Sequence, residues 1–417
     1  MRILYIEHYA GSDKYGMEFR PYYLARNWVK AGHKVFMMAG SYSHLRIKNP
    51  TVERNFQREI IDGIDYIWIK TCEYKGNNIG RVVNVEQFLH ALSKNAKSIA
   101  EKIKPDVVIA SSTYPMDTYP AQKICQYSGA ALIHEVHDMW PITPMELYGL
   151  KASNPIIKYI QKAEDSFCKN ADKIVSIVPF AEDYYIEHGM PRGHFEHVPN
   201  GIIKEDWPDK PLVNPDVEAK INHIKANYNR LICFIGSHTK SYSLDTLIKA
   251  AKKCADLSVA FLFVGGGNYK EELKQMANDM KLSSVYFMDP IPKKEIPGLL
   301  SLVDGIYVGA ARNKMFRFGI AMNKLFDSLA SGRPIIFAAE VPNDYIKEYD
   351  CGISVEAENV DALADAIRKF CNCTDEELDN MGSLGRKACM ERFEYENISK
   401  TFIDVMERAI MQKKGTY

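Results

Sequence analysis

Arg317, Asn323, Lys324 and Asp327 crowd around Gly319 in the run FRFGIAMNKLFDSLASGRPI (316–335), a grouping suited to binding an anion. Gly319 admits backbone conformations that other residues avoid and lets a ligand approach the main chain. Leu325, Phe326, Leu329 and Ala330 recur at helical spacing, which predicts a helix opening at Asn323 and stopped by Gly332 and Pro334. The apolar run 335–338 then reads as a short buried strand. The first turn of a helix carries N–H groups without partners, which favour a phosphate, and Arg317 and Lys324 add positive charge beside it.

A second polar cluster is HEVHDMWPITP (134–144). His134, Glu135, His137 and Asp138 are metal-ligand types, but a zincin needs its two His four apart on a helix. Here they are three apart at the end of a strand, where adjacent side chains face opposite ways, so no metal is expected. His137 and Asp138 stay as polar groups at a strand end. Three weaker signals follow. HYAGSDKYGMEFR (8–20) contains Gly11 and Ser12 in a turn without the G-x-G-x-x-G spacing of dinucleotide enzymes; Lys240 lies in the turn after an apolar run; Gly265-Gly266-Gly267 lacks the G-K-[ST] of a P-loop and marks a tight turn.

Such residues need a frame. Apolar runs at 3–6, 35–39, 107–110, 130–135 and 174–177 read as parallel-type strands, with helices at 19–31, 85–103 and 119–127 and a hairpin around Gly63. The second half repeats strand, glycine or proline turn and helix from 231 onward. VPNGI (198–202), followed by a proline-rich loop, marks the passage between halves. We therefore expect domains over 1–198 and 199–395, and a closing segment 396–417 that crosses back to the first. In 154–168, Ile156, Ile157, Ile160 and Phe167 recur with lysines nearby, which reads as a core helix with a solvated Lys face or as a face docking on a membrane surface.

A chain of 417 residues suits two domains of roughly 200 each. Lys plus Arg equal Asp plus Glu at 53 each, so nothing points to a nucleic-acid partner. Nine scattered cysteines, an odd number, form no disulfide framework and fit a reducing cytoplasm. The apolar run at the N-terminus is too short for a secretory leader, and no stretch approaches ~18 apolar residues. A cytoplasmic protein is expected, peripheral at the inner face of the membrane if it touches one. No D-x-D tripeptide occurs, so a metal-chelated diphosphate is not suggested.

NKLFDSLASGRPII is similar to the donor-sugar loop of the retaining GT-B glycosyltransferases of family four, and VPNGI resembles the string that opens their second domain. In most members two acidic residues eight positions apart frame the loop. Asp327 takes the second position and Gly319 the first, so the chain resembles the subset with a Gly-x-x-x-Asn-Lys-x-x-Asp loop. The resemblance implies a GT-B fold, two Rossmann-like α/β domains facing across a cleft. It also implies retaining, metal-independent transfer of a hexosyl or N-acetylhexosaminyl group from a UDP-linked sugar, without cofactor, to a growing polysaccharide or polyprenyl-linked saccharide. His137 would then contact the transferring sugar with Asp138 beside it. The N–H groups at Gly11-Ser12 and Gly319-Ile320, with Arg317, Asn323, Lys324 and Lys240, would hold the donor diphosphate, and Asp327 would accept from ribose hydroxyls. Two alternatives stay open: a UDP-sugar 2-epimerase of the same fold, which needs further acid/base carboxylates, and a non-catalytic nucleotide-sugar-binding subunit, raised by the missing carboxylate at Gly319.

Overall fold

A computed structural model describes residues 1–16, 19–76 and 78–415, the side chains of 147 and 148 excepted. Contacts divide the chain into two units, Met1–Pro199 with Tyr395–Tyr417, and Asn200–Glu394.

The first unit runs β1 (Arg2–Ile6), α1 (Phe19–Lys30), β2 (Lys34–Gly40), β3 (Gln57–Ile61), β4 (Ile64–Ile69), α2 (Ile79–Lys94), α3 (Ala96–Ile103) and β5 (Val107–Ala110). It continues with α4 (Thr118–Ser128), β6 (Ala131–Val136), α5 (Ile142–Tyr148), α6 (Pro155–Asn170), β7 (Lys173–Ser176), α7 (Glu182–Glu187) and β8 (Phe195–His197). Its sheet has the order β3-β4-β2-β1-β5-β6-β7-β8, and only β3 is antiparallel, in the hairpin that turns at Gly63. Strands such as the apolar VVIA and the mixed ALIHEV are buried along their whole length, as helices on both faces require. From the β1/β5 pair, where Ile6 is level with Ala110, the order runs outward both ways. Loops leaving β1 and β5 part there, and the crevice at such a reversal is where open α/β sheets bind ligands. The helix expected over 85–103 is two helices. Asn95 ends the first by turning its own N–H on the carbonyls of Ala91 and Leu92 and its Nδ2 on Ala91 (2.8 Å), the side-chain competition that makes Asn a poor helix interior.

The second unit runs α8 (Pro215–Lys225), β9 (Arg230–Ile235), α9 (Leu244–Lys253), β10 (Val259–Val264), α10 (Lys270–Asp279), β11 (Val285–Met288), α11 (Ile296–Leu300) and β12 (Gly305–Gly309). There follow α12 (Asn323–Ala330), β13 (Ile335–Ala338), α13 (Tyr345–Glu348), β14 (Gly352–Val355), α14 (Val360–Asn372) and α15 (Asp375–Arg392). Its strands are all parallel in the order β11-β10-β9-β12-β13-β14, with the reversal at β9/β12. The triple glycine is explained by backbone packing. A Cβ on Gly265 would lie 2.0 Å from the carbonyl oxygen of Gly236, and one on Gly267 2.3 Å from that of His238. Both also have positive φ, +143° and +152°.

A last helix, α16 (Tyr395–Lys413), belongs to the first unit and buries Phe402, Val405, Met406 and Ala409 there. All nine cysteines are unpaired. Among the described residues no helix is long and apolar enough to cross a membrane.

Candidate active site

In the first unit the polar groups gather at the C-terminal ends of β1, β5 and β6, around Glu135. This carboxylate is wholly buried. Its Oε1 accepts from Arg20 Nε (3.0 Å) and Nη2 (2.9 Å), and its Oε2 from Tyr5 Oη (2.5 Å) and Ser111 Oγ (2.6 Å). Burial pushes the carboxyl up, but the Arg20 charge, with His137 and the hydrogen bonds, outweighs it and holds Glu135 well below the usual carboxylate range. Burial and the neighbouring carboxylate push the Tyr5 phenol well up, so it stays a donor.

His137 joins this network through Nε2, 2.8 Å from Ser111 Oγ and 3.3 Å from Glu135 Oε2. The single hydroxyl proton of Ser111 is given to Glu135, so Ser111 must accept from His137, and that ring carries its proton on Nε2. Asp138 is held within its own loop: Oδ2 accepts from Trp140 Nε1 (2.9 Å), and Oδ1 accepts from Thr143 Oγ1. His134 faces away, stacked on Phe167 with ring centres 3.8 Å apart and pushed down to about 3 by burial. The two His therefore do not converge.

In the second unit the corresponding loops meet where β9 and β12 end. The helix α12 opens at Asn323 and its N-cap, Met322, makes no side-chain bond to the first turn. The Lys324 side chain lies back across the end of β9, its ammonium 3.0 Å from the centre of the Tyr242 ring and 4.6 Å from that of Phe234. That ammonium is buried and has no hydrogen-bond acceptor among the described residues. Burial pulls it down to about 7. Beside it His238 is fully buried, both ring nitrogens without a partner among the described residues, and is pushed down to about 4 by burial and by Lys270 and Lys324. Lys270 is committed elsewhere, tying the carbonyls of Gly265 and Met288 to Asp289. Burial pushes Asp327 up to about 6, with smaller opposing effects from the charges of Lys293 and Asp206, and its carboxylate has no hydrogen-bond partner among the described residues.

The remaining expected site residues are placed as follows. Asn323 is exposed at the helix start. Arg317 is exposed, its guanidinium over Phe318 (4.2 Å) and bonded to the Lys314 carbonyl. Lys240 is exposed, 3.9 Å from Glu272. Gly319 has φ +104°, a conformation that requires glycine. Three of the amides expected to face a phosphate are already bonded: Ser12 N–H to Gly16 O (3.4 Å), Gly319 N–H to Phe316 O (3.0 Å) and Ile320 N–H to Asn343 Oδ1 (2.8 Å). The first two loops close on themselves and Asn343 of a distant loop supplies the third acceptor, so each of these amides already has a partner. Gly11 gives its carbonyl to Tyr66 Oη (2.7 Å).

Glu135 was set aside in the sequence with the metal reading. A carboxylate inside a strand buried on both faces demands a cation partner, and that demand was the available signal. His238 and Tyr242 carried none.

Residues 15–206 match the family model described as Glycosyltransferase Family 4, and residues 217–388 the model described as Glycosyl transferases group 1. A protein of Escherichia coli (strain K12) named colanic acid biosynthesis glycosyl transferase WcaI is 25% identical over 313 residues, 72% of this chain and 74% of that protein. Among solved structures, sucrose-phosphate synthase from Thermosynechococcus elongatus has a TM-score of 0.71 at 16% identity, covering 99% of this chain and 100% of its own. Anabaena HepE in complex with UDP and glucose has a TM-score of 0.68 at 13% identity, covering 98% and 99%. With two α/β units that each carry a parallel sheet reversed at its centre, and the two models lying end to end, the chain is a glycosyltransferase of the GT-B fold, a family-four domain followed by a group-1 domain.

Proposed function

We propose that the chain moves a hexosyl or N-acetylhexosaminyl group from a UDP-linked sugar, with retention at the anomeric carbon and without a metal, to a growing polysaccharide or lipid-linked oligosaccharide. The observation that carries this is Lys324. An ammonium buried against two aromatic rings with no acceptor is costly unless an anion completes it. It stands at the uncapped start of α12, where the helix dipole also favours negative charge. A donor diphosphate supplies that charge. As the bond from the anomeric carbon to the phosphate oxygen breaks and the bond to the acceptor oxygen forms, negative charge grows on the leaving diphosphate, and Lys324 stabilises it where a metal would otherwise serve.

The other roles follow by analogy. His137 is assigned to contact with the transferring sugar: its Nε2–H is spent on Ser111, which leaves Nδ1 to accept from a sugar hydroxyl. Asp327 is assigned to the ribose hydroxyls. HepE structures that hold UDP and UDP-glucose favour UDP among nucleotides, and the name of the WcaI relative favours a polysaccharide product.

Calorimetric titration with UDP and with GDP, in EDTA, tests this on the wild type, Lys324→Met and Asp327→Ala. Micromolar UDP binding that Lys324→Met weakens at least tenfold is the expected result. A folded wild type that binds neither nucleotide sinks the reading.

A further inference from the structure

The first unit has a groove of about 490 Å³ between α2 and α6 that the transfer chemistry above does not use. Val82, Val85, Met116, Ile156 and Ile160 make its walls. Its walls reach the surface as apolar side chains: Val82 is 59% exposed and Ile156 63%. A soluble surface rarely leaves such a contiguous patch without a use. The groove is also concave and of the size that encloses a ligand, unlike a face that rests on a bilayer.

Its inner end is polar. Tyr9, Tyr114 and Trp140 close it there, and they follow β1, β5 and β6, the strands whose ends also carry Ser111 and His137. Trp140 binds Asp138, next to His137, through its indole N–H. Arg81 lies at this end, its guanidinium 5.6 Å from the Tyr9 ring centre and its Nε 3.3 Å from Tyr9 Oη. The one acid in the lining, Glu86, faces Tyr159 on the α6 side. Positive charge at the inner end and hydrocarbon outward match an amphiphile with an anionic head and a single tail. Such a molecule, seated head inward, carries a sugar hydroxyl to the strand ends.

We propose that this groove binds the prenyl chain of a prenyl-phosphate-linked saccharide acceptor, with Arg81 at the phosphate and the chain between Val82 and Ile156. This rests on the transferase reading and narrows its acceptor to the lipid-linked class.

Farnesyl phosphate, below its micelle concentration, is the probe. Wild type and the double variant Val82→Asp/Ile156→Asp are titrated with it calorimetrically, with UDP titrated in parallel and melting curves recorded for both proteins. Saturable binding, weakened at least tenfold in the double variant while UDP affinity and melting are unchanged, is the expected result. A photoactivatable farnesyl phosphate should label peptides from α2 and α6. The proposal is overturned if farnesyl phosphate does not saturate the wild type, or binds the double variant equally well. It is equally overturned if vesicles of phosphatidylglycerol and phosphatidylethanolamine bind through these residues while farnesyl phosphate does not, which would make the patch a bilayer contact. UDP bound with farnesyl phosphate unbound removes the groove alone; absence of UDP binding removes the UDP-donor reading whatever the groove does.

Discussion

The ammonium of Lys324 sits 3.0 Å from the centre of the Tyr242 ring, and a Cβ placed on Gly236 would fall 2.8 Å from the same nitrogen. Gly236 also has φ +137°. The cation is thus boxed between a ring and a backbone that only glycine can provide. Such a site stores cost in the empty protein. Lys324→Met removes the desolvation cost of an unpaired ammonium and should therefore raise stability, by about 1–4 kcal/mol if it matches the range seen when buried ion pairs are replaced by apolar side chains. The same change should weaken UDP binding by about 1.5–3 kcal/mol, the worth of a hydrogen bond to a charged group. Urea denaturation and calorimetry on one preparation would read both, and a variant that loses stability contradicts the assignment.

Donor affinity should depend on pH through the same group. In the empty protein Lys324 titrates at about 7, and a bound diphosphate raises that value, so binding above pH 7 takes up a proton. Affinity for UDP-glucose, whose phosphates do not titrate in this range, should fall about tenfold per pH unit above about 7 until the bound-state value is reached. Below 7 it should be level. Heats measured in buffers of different ionisation enthalpy would show the proton uptake directly.

The buried pair of Arg20 and Glu135 should be sensitive to removal of one partner. Arg20→Met leaves a wholly buried carboxylate held only by Tyr5, Ser111 and His137, and should cost about 3–5 kcal/mol in urea denaturation. Replacing both residues with apolar ones should restore most of the loss. If the single change costs as little as an exposed pair, under about 1 kcal/mol, the network is not what fixes the ends of β1 and β6.

Ser111 sets the tautomer of His137. Nitrogen-15 spectra of the imidazole should show the proton on Nε2 in the wild type. In Ser111→Ala that preference should relax, with kcat reduced about tenfold or more and KM for the donor little changed, because the change touches an orientation and not a binding charge.

Within the triple glycine the three positions should differ sharply. Gly266→Ala meets only a proline ring at 3.3 Å and should cost about 1 kcal/mol or less. Gly265→Ala and Gly267→Ala run into backbone oxygens at 2.0 and 2.3 Å and should leave the second unit unfolded or badly expressed. Thermal melts of the three variants would separate them.

Much of this architecture could be read from the chain. The helix Asn323–Ala330, its stop at Gly332 and the strand Ile335–Ala338 follow from local spacing, which is why they were legible. The network around Glu135 was not, because Tyr5, Arg20, Ser111 and Glu135 come from β1, α1, the end of β5 and β6, and no local pattern ties them together. Amide occupancy was equally hidden. Whether the Ile320 N–H faces a ligand depends on Asn343, a residue 23 positions away. The break at Asn95 was missed because the apolar spacing continues across it, through Leu92, Ala96 and Ile99.

Trp28 of α1 packs its ring against Phe402 of α16, centres 5.2 Å apart, and donates its indole N–H to the Ser399 carbonyl. The first unit is therefore finished by residues made after the whole of the second. On the ribosome the continuous unit from Asn200 to Glu394 can close as soon as it emerges, while the earlier one waits with Trp28 uncovered until α16 arrives. Synthesis order and completion order are reversed, and exposure of that tryptophan during translation is the interval in which a chaperone would be needed.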